Sequence, residues 1–511
     1  MSSANKAAPR VRLRRAEQSA PAEVTVRMYR HGLGDCFLIR LPKDGGGTFN
    51  ILIDCGLIGV AAAPKQQMKE VLNDLRETCK NRLDLVVMTH EHWDHVSGFS
   101  KQQTQAEFAS FDIAEVWYAW TEDPKNPLGR KLREERAAKL RALNTAFGAM
   151  RVGNSPVAAS RADRLESILG FFGGPELGVS DLNAAPGGRT RLAFDYPGSR
   201  AGVRRRFCHP KDAPVSFPGV TGVRAYVLGP PEDEGLIKRS APTRRGQEAY
   251  EFSTDKIAVD HLAAAFQRLG VGPGGECDGR DCPFDMNFAR RTDAGGVPEG
   301  ASAHLENLFR NSWSPESEKW RQIDMDWTQS AESLALNLDS HTNNTCLVVA
   351  IELIDSGKVL LFAADAQVGN WLSWQGTQWL VGVGENARQV TGPDLLRRVV
   401  FYKVGHHGSH NATLRTLGLE LMESEELVAF VPVFKDQAEK NRWHAMPFGP
   451  LVRRLQEKTG GRLVLSDKAV ESPGDPELAR LTPAAKGAFA ARLKSDPEKL
   501  YYEYSISFQR Q

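Results

Sequence analysis

The sequence predicts an α/β protein in which short buried strands alternate with amphipathic helices and the reactive side chains stand at strand ends. Three observations carry this expectation. Apolar, β-branched runs of strand length recur along the chain, helix-spaced stretches separate them, and the densest group of metal-binding residue types follows directly on one of the runs.

Residues 24–29, 36–41 and 49–53 read as a meander of strands, joined by the turn His31-Gly32-Leu33-Gly34-Asp35 and by Gly45-Gly46-Gly47, and ending at Asp54-Cys55-Gly56. Helical spacing covers residues 66–79, and 83–88 form a buried strand free of Gly and Pro. A strand at 111–120 precedes helices at 127–150 and 162–172. Residues 189–197 and 223–228 read as further strands, the second stopped by Gly229-Pro230-Pro231. The stretch 232–321 is rich in Gly, Pro and charge and reads as an insertion or lid bordering the cleft. Beyond it come a helix at 327–338, strands at 346–354, 359–363, 399–404 and 427–431, a helix at 447–458, and strands at 463–466 and 501–508.

At 511 residues the chain fits one large α/β domain, 24–511, carrying that insertion. Residues 1–23 hold Lys6, Arg10, Arg12, Arg14 and Arg15 with no apolar segment behind them, and read as a disordered basic tail rather than a secretory signal. Lys+Arg 65 against Asp+Glu 63 leaves a net charge of +2, so no global polyanion-binding signature exists and nucleic acid is neither required nor excluded. Seven scattered cysteines without framework spacing imply reduced thiols and a cytoplasmic location. No apolar run approaches the ~18 residues of a membrane span.

The segment Thr89-His90-Glu91-His92-Trp93-Asp94-His95 packs three imidazoles and a carboxylate behind the strand 83–88. In an extended exit loop His90 and His92 point the same way, while Asp94 and His95 fall beyond a bend and can address a second ion. Imidazole and carboxylate suit zinc, with manganese and iron as alternatives. A zinc helix of the H-E-x-x-H type is excluded, because Asp94 and not His stands four after His90. A binuclear site needs a shared carboxylate and more imidazoles. Asp365 closes the strand 359–363, and His406-His407-Gly408-Ser409 closes the strand 399–404.

The order H-x-H-x-D-H, strand-end Asp and His-His-Gly-Ser resembles the metallo-β-lactamase superfamily. Gly32-Leu33-Gly34-Asp35-Cys36, Asn343-Asn344-Thr345 and Lys403-Val404-Gly405-His406-His407-Gly408-Ser409 resemble more specifically the hydrolase domain of bacterial competence (DNA-uptake) proteins and its free-standing relatives. The resemblance covers about 24–230 and 327–508. It implies a four-layer αββα sandwich with two divalent ions, His90 and His92 on the first, Asp94, His95 and one of His406/His407 on the second, and Asp365 between them. Asp54 then supports the ligands from behind, Ser409 closes the motif at the cleft, and Asp35 and His444 are candidates to line it. The family's third histidine on the first ion has no clear counterpart: His341 or Asn344 takes its place.

The implied function is metal-dependent hydrolysis by a hydroxide shared between the ions, with Asp94, Asp365 and His407 as the catalytic set. The subgroup motifs favour a phosphodiester substrate, as in a phosphodiesterase or nuclease. The alternatives are esters, lactones or thioesters of small molecules, and a non-catalytic binding scaffold. Cys277 and Cys282 with Cys208-His209, the charge runs Arg204-Arg205-Arg206 and Arg244-Arg245, and Trp371, Trp374 and Trp379 read as loop thiols, solvated charge and packing respectively. The oligomeric state is not readable from the sequence.

Overall fold

The computed structural model describes residues 23–58, 64–152, 156–174, 188–239, 297–312, 326–441, 443, 446–468, 481–496 and 498–507. The strands are β1 (Glu23–Tyr29), β2 (Phe37–Pro42), β3 (Thr48–Ile53), β4 (Arg82–Val87), β5 (Asp112–Ala119), β6 (Arg204–Cys208), β7 (Val215–Ser216), β8 (Val223–Gly229), β9 (Val348–Leu353), β10 (Lys358–Phe362), β11 (Gln378–Val381), β12 (Arg388–Thr391), β13 (Val399–Lys403), β14 (Val428–Val431), β15 (Leu463–Leu465), β16 (Leu493–Ser495) and β17 (Tyr501–Ser507). Eight of them form one sheet in the order β16-β17-β1-β2-β3-β4-β5-β6, seven form a second in the order β15-β14-β13-β10-β9-β8-β7, and β11-β12 make a separate hairpin.

Side-chain alternation along each strand sorts the apolar residues into layers. Phe37 and Ile39 of β2, Ile51 of β3 and Val87 of β4 meet Val227, Ile351, Phe362 and Phe430 between the sheets. Their neighbours Leu38, Leu52 and Val86 face outward onto Met68, Leu72 and Leu75 of the helix Pro64–Cys79. On the far side, Tyr226, Val348, Leu361 and Tyr402 are covered by Leu143 and Phe147 of the helix Pro127–Val152, Leu165 of Pro156–Leu169 and Leu334 and Leu338 of Asp326–Asn344. The result is helix, sheet, sheet, helix, the αββα sandwich expected. Trp371, Trp374 and Trp379 are buried in the outer layer, as packing residues.

Two local expectations are corrected. Residues 189–197 lie in a helix, Gly188–Ser199, whose buried Thr190, Ala193, Phe194 and Pro197 follow the i, i+3, i+4, i+7 period of a helix face. Arg204, Arg205 and Arg206 belong to the edge strand β6 rather than to a loop; Arg206 pairs with Glu115 of β5 at 3.3 Å, and Arg204 pairs with the same carboxylate. Charged side chains on an edge strand discourage further strand pairing.

The parallel pairs place the site. β3, β4 and β5 run parallel in the first sheet, and β10, β13 and β14 in the second. Parallel neighbours deliver their C-terminal ends to the same edge. Asp54, Thr89, Asp365 and His406 therefore emerge at one end of the sandwich, where Leu347 N bonds Thr89 O at 2.9 Å across the two sheets. Of the stretch expected to form a lid, residues 240–296 and 313–321 lie outside the described residues, as do residues 1–22, Cys277, Cys282 and His444. No helix among the described residues is long and apolar enough to cross a membrane.

Candidate metal centre

After β4 the chain leaves the sheet through Thr89 to His92 and turns into a short helix, Trp93–Val96, that carries Asp94 and His95. Close backbone approach makes this bend: a Cβ on Gly56 would stand 2.4 Å from the Asp94 carbonyl carbon and 2.5 Å from His95 N. Only glycine fits there. Asp54 adopts a left-handed φ of 53° at the end of β3, which turns its carboxylate onto the β4 loop.

Asp94, His95, Asp365 and His407 are all buried, and their ligand atoms lie within 4.8 Å of one another. His407 Nε2 is 2.8 Å from Asp94 Oδ2, and His95 Nε2 is 3.2 Å from Asp365 Oδ2. Each ring is held from behind. His407 Nδ1 is 2.7 Å from the Pro432 carbonyl, which can only accept, so Nδ1 is the donor there and Nε2 is the nitrogen turned toward Asp94 and available to an ion once its own proton is displaced. His95 Nδ1 donates in the same way to Asp54 Oδ2 at 2.8 Å. Thr89 fixes Asp54 in turn, through its N at 2.9 Å and its hydroxyl at 2.6 Å. Asp365 Oδ1 accepts from His406 N at 3.0 Å.

Lys403, at the end of β13, is buried beneath this group. Its ammonium donates to the Ala364 carbonyl at 2.9 Å, pairs with Asp35, and lies 3.5 Å from Asp365 Oδ1. Asp35 is also 3.7 Å from His95 Nδ1 and 3.9 Å from His407 Nδ1, so it sits behind the rings and does not line the cleft. Burial works against charge on His95, yet Asp365, Asp94, Asp35 and Asp54 push its pKa well above the usual histidine value. These four buried carboxylates crowd the His95 ring while the Lys403 ammonium faces Asp35, Asp365 and Asp54, and the excess of negative charge makes a site that attracts cations.

His90 and His92 stand beside this group, with ring centroids 4.6 Å apart and His90 4.2 Å from His95. Burial, then repulsion from His95 and His92, holds His90 well below its usual pKa; burial holds His92 at about 3 despite Asp94 and Asp365. Both rings are neutral, the form that binds metal. His92 packs against Phe171 and Phe172, with centroids 5.6 and 4.8 Å away, and Phe171 stacks on Trp443 at 4.5 Å. Glu91 turns away into a buried ion cluster, 2.5 Å from Arg136 and 3.3 Å from Arg191, with Glu122 on the same two cations.

The helix Asp326–Asn344 contributes a carboxylate that the sequence reading missed. Asp339 Oδ1 lies 3.9 Å from His92 Nε2. Burial, with Asp94 and Asp365 nearby, pushes its carboxyl up to about 8. The two candidates named for this position are placed elsewhere. His341 lines a neighbouring pocket with Glu122, Arg136 and Lys139. Asn344 binds backbone, donating to the Ile237 and Arg239 carbonyls at 3.1 and 2.8 Å and accepting from Gln367 N and Asn370 N at 3.2 Å. It braces the loop after Asp365 and does not approach the imidazoles as a donor. Asp339 could have been found by asking which carboxylate shares a helix edge with the apolar seam Ala335-Leu338-Thr342.

His406 is not part of the tight group. Its Nδ1 is 3.5 Å from Gln367 Nε2, and burial holds its pKa at about 4 although Asp365 raises it. Left-handed φ values of 43° at His406 and 51° at His407 swing the two rings apart, with centroids 6.2 Å from each other. Ser409 donates its hydroxyl to Asn411 Oδ1 at 2.8 Å.

His90 Nε2, His92 Nε2, Asp94 Oδ1, His95 Nε2 and Asp365 Oδ2 are buried without a hydrogen-bond partner. An orphaned buried polar atom costs about 1–3 kcal/mol, and five lone-pair donors converging on one place fit divalent cations.

Residues 29–201 match the family model described as the metallo-beta-lactamase superfamily. The match supports membership of that superfamily. No curated protein matches the chain. The superfamily match contains Asp35, Asp54, His90, His92, Asp94 and His95 and ends before Asn344, Asp365, Lys403 and His407, which the second sheet brings to the same edge.

Proposed function

We propose that the protein is a binuclear metal-dependent hydrolase acting on phosphodiesters, as a phosphodiesterase or nuclease. The observation that carries the reading is the gathering of Asp94, His95, Asp365 and His407 from the ends of three strands at one edge of the sandwich, where the orphaned imidazole and carboxylate atoms that follow β4 and β10 also lie. The preference for phosphodiesters rests on the likeness of the Gly-Asp turn and His-His-Gly-Ser motifs to the competence-protein hydrolases.

His90 and His92 would hold one ion, and Asp94, His95 and His407 the other, with Asp365 available to both. Divalent ions bound there supply Lewis-acid stabilisation of developing oxyanion charge and acidify water near neutral pH. The chain's residues do the rest. Asp54 and the Pro432 carbonyl keep His95 and His407 in one tautomer. Lys403 fixes Asp365 against Asp35. Gln367 Nε2 on His406 Nδ1 leaves the proton on His406 Nε2, where it can hydrogen-bond the leaving-group oxygen. Zinc, manganese and iron all suit the donor set.

A second reading, hydrolysis of a small-molecule ester, lactone or thioester, is favoured by one observation: Phe171, Phe172 and Trp443 form an aromatic wall against His92. Elemental analysis followed by bis-phosphodiester, ester and lactone assays with each metal separates the readings. Turnover of the phosphodiester alone supports the first, turnover of the ester or lactone alone replaces it with the second, and a metal-loaded protein inert to all of them points to the scaffold.

A further inference from the structure

The first metal position has two imidazoles and lacks the third that the family pattern supplies. The helix Asp326–Asn344 closes that gap from an unexpected residue. Its buried Ala331, Leu334, Ala335, Leu338 and Thr342 form the face packed on the sandwich, and Asp339 flanks that face, one turn beyond Ala335. His341, two residues on, is rotated about 200° round the helix from Asp339, which is why it lines the neighbouring pocket instead.

The two oxygens of Asp339 have different partners. Oδ2 accepts from Asn343 Nδ2 at 3.3 Å, one helical turn along. Oδ1 has no hydrogen-bond partner and faces His92 Nε2, itself fully buried and unpartnered, across 3.9 Å. Two donors each about 2.0–2.2 Å from one ion stand roughly 3–4 Å apart. The gap is therefore the width that a shared cation spans, and the tethered Oδ2 is the outer hydrogen bond that ligating carboxylates ordinarily have.

Resting on the binuclear reading, we infer that Asp339 is the third protein ligand of the first ion, making that position two imidazoles and a carboxylate, with Asp365 shared, rather than three imidazoles. Replacing a nitrogen donor by a harder, anionic oxygen narrows the advantage of zinc and favours manganese or ferrous iron at this position. The two ions then sit in different donor fields, and the carboxylate on the first makes its selectivity the property that distinguishes this chain.

The test is metal binding by the full-length protein, read by elemental analysis after dialysis against Mn2+ or Zn2+ and by calorimetry. Wild type should hold two ions. Asp339→Asn should hold one, with Mn2+ affinity at the weaker position reduced at least about tenfold, since loss of even an outer-shell partner costs that much. Asp339→His should restore the second ion with Zn2+ and not with Mn2+. Two Mn2+ ions in Asp339→Asn with unchanged affinities would overturn the assignment while leaving the binuclear site intact; a wild type that takes up no ion would overturn both. Should Asp339→Asn fail to fold, anomalous scattering from a Mn2+-loaded wild-type crystal decides: an Asp339 oxygen at about 2.2 Å from the first ion supports the assignment, and one beyond about 4 Å sinks it.

Discussion

The two halves of the candidate centre are built from the same residue types and held in different ways. Asp94, His95, Asp365 and His407 form a closed group whose rings are fixed from behind by Asp54 and the Pro432 carbonyl, with Lys403 beneath. His90 and His92 have less support. Thr89 Oγ1 lies 3.0 Å from His90 Nδ1, and neither nitrogen of His92 has a hydrogen-bond partner. A ring fixed by a hydrogen bond from behind presents one tautomer to the ion, whereas a ring held by packing alone, as His92 is, has its tautomer set only when the ion binds. The difference teaches that the two positions should load in sequence, tight then weak, and that the first position is where metal identity is decided.

The largest effect should come from Asp365, the residue that the proposed binuclear site would share between its two ions. Asp365→Ala should remove both ions and lower hydrolysis by at least about a thousandfold, measured by elemental analysis alongside the rate; full metal content in that variant would show that the halves do not meet at Asp365.

Disturbing the support of one half alone should be milder. Asp54→Asn leaves His95 Nδ1 facing a neutral amide, and should weaken the tight position by about 10–100-fold while leaving the His90/His92 position unchanged. Calorimetry that instead finds both positions weakened equally would mean that the halves are not separable. The smallest effect belongs to His341, on the far edge of its helix: His341→Ala should leave metal content at the wild-type value by elemental analysis. Loss of an ion there would restore the sequence-based ligand choice over Asp339.

The closed half was readable from sequence and the open half only partly, for a physical reason. Asp54, Asp94, His95, Asp365 and His407 follow apolar runs that end in loops, so strand-end position alone marks them, and parallel pairing gathers them. His406 and His407 could not be told apart, because the left-handed backbone that separates their rings leaves no trace in composition. Asp339 lies inside a helix, where its role depends on which edge of the helix meets the sheet end. The α/β character was readable from strand-length apolar runs alternating with helix-spaced stretches, whereas the four-layer sandwich was implied only by the resemblance of the motifs to the metallo-β-lactamase superfamily. At 189–197 the strand expectation failed because the helix period of Thr190, Ala193, Phe194 and Pro197 is carried partly by a proline, a residue that disfavours a helix interior, yet packs within one there. Lys403 reads as one more buried strand position until the carboxylates of Asp35 and Asp365 are placed beside it.

Sequential loading is the central claim, and a crystal of the metal-free protein soaked with one equivalent of Mn2+ or Zn2+ tests it most directly. Anomalous difference density should place that one equivalent among Asp94, His95, Asp365 and His407, with the position beside His90, His92 and Asp339 filling only at higher concentration. Equal partial occupancy of the two positions, or first occupancy beside His90 and His92, would contradict the account.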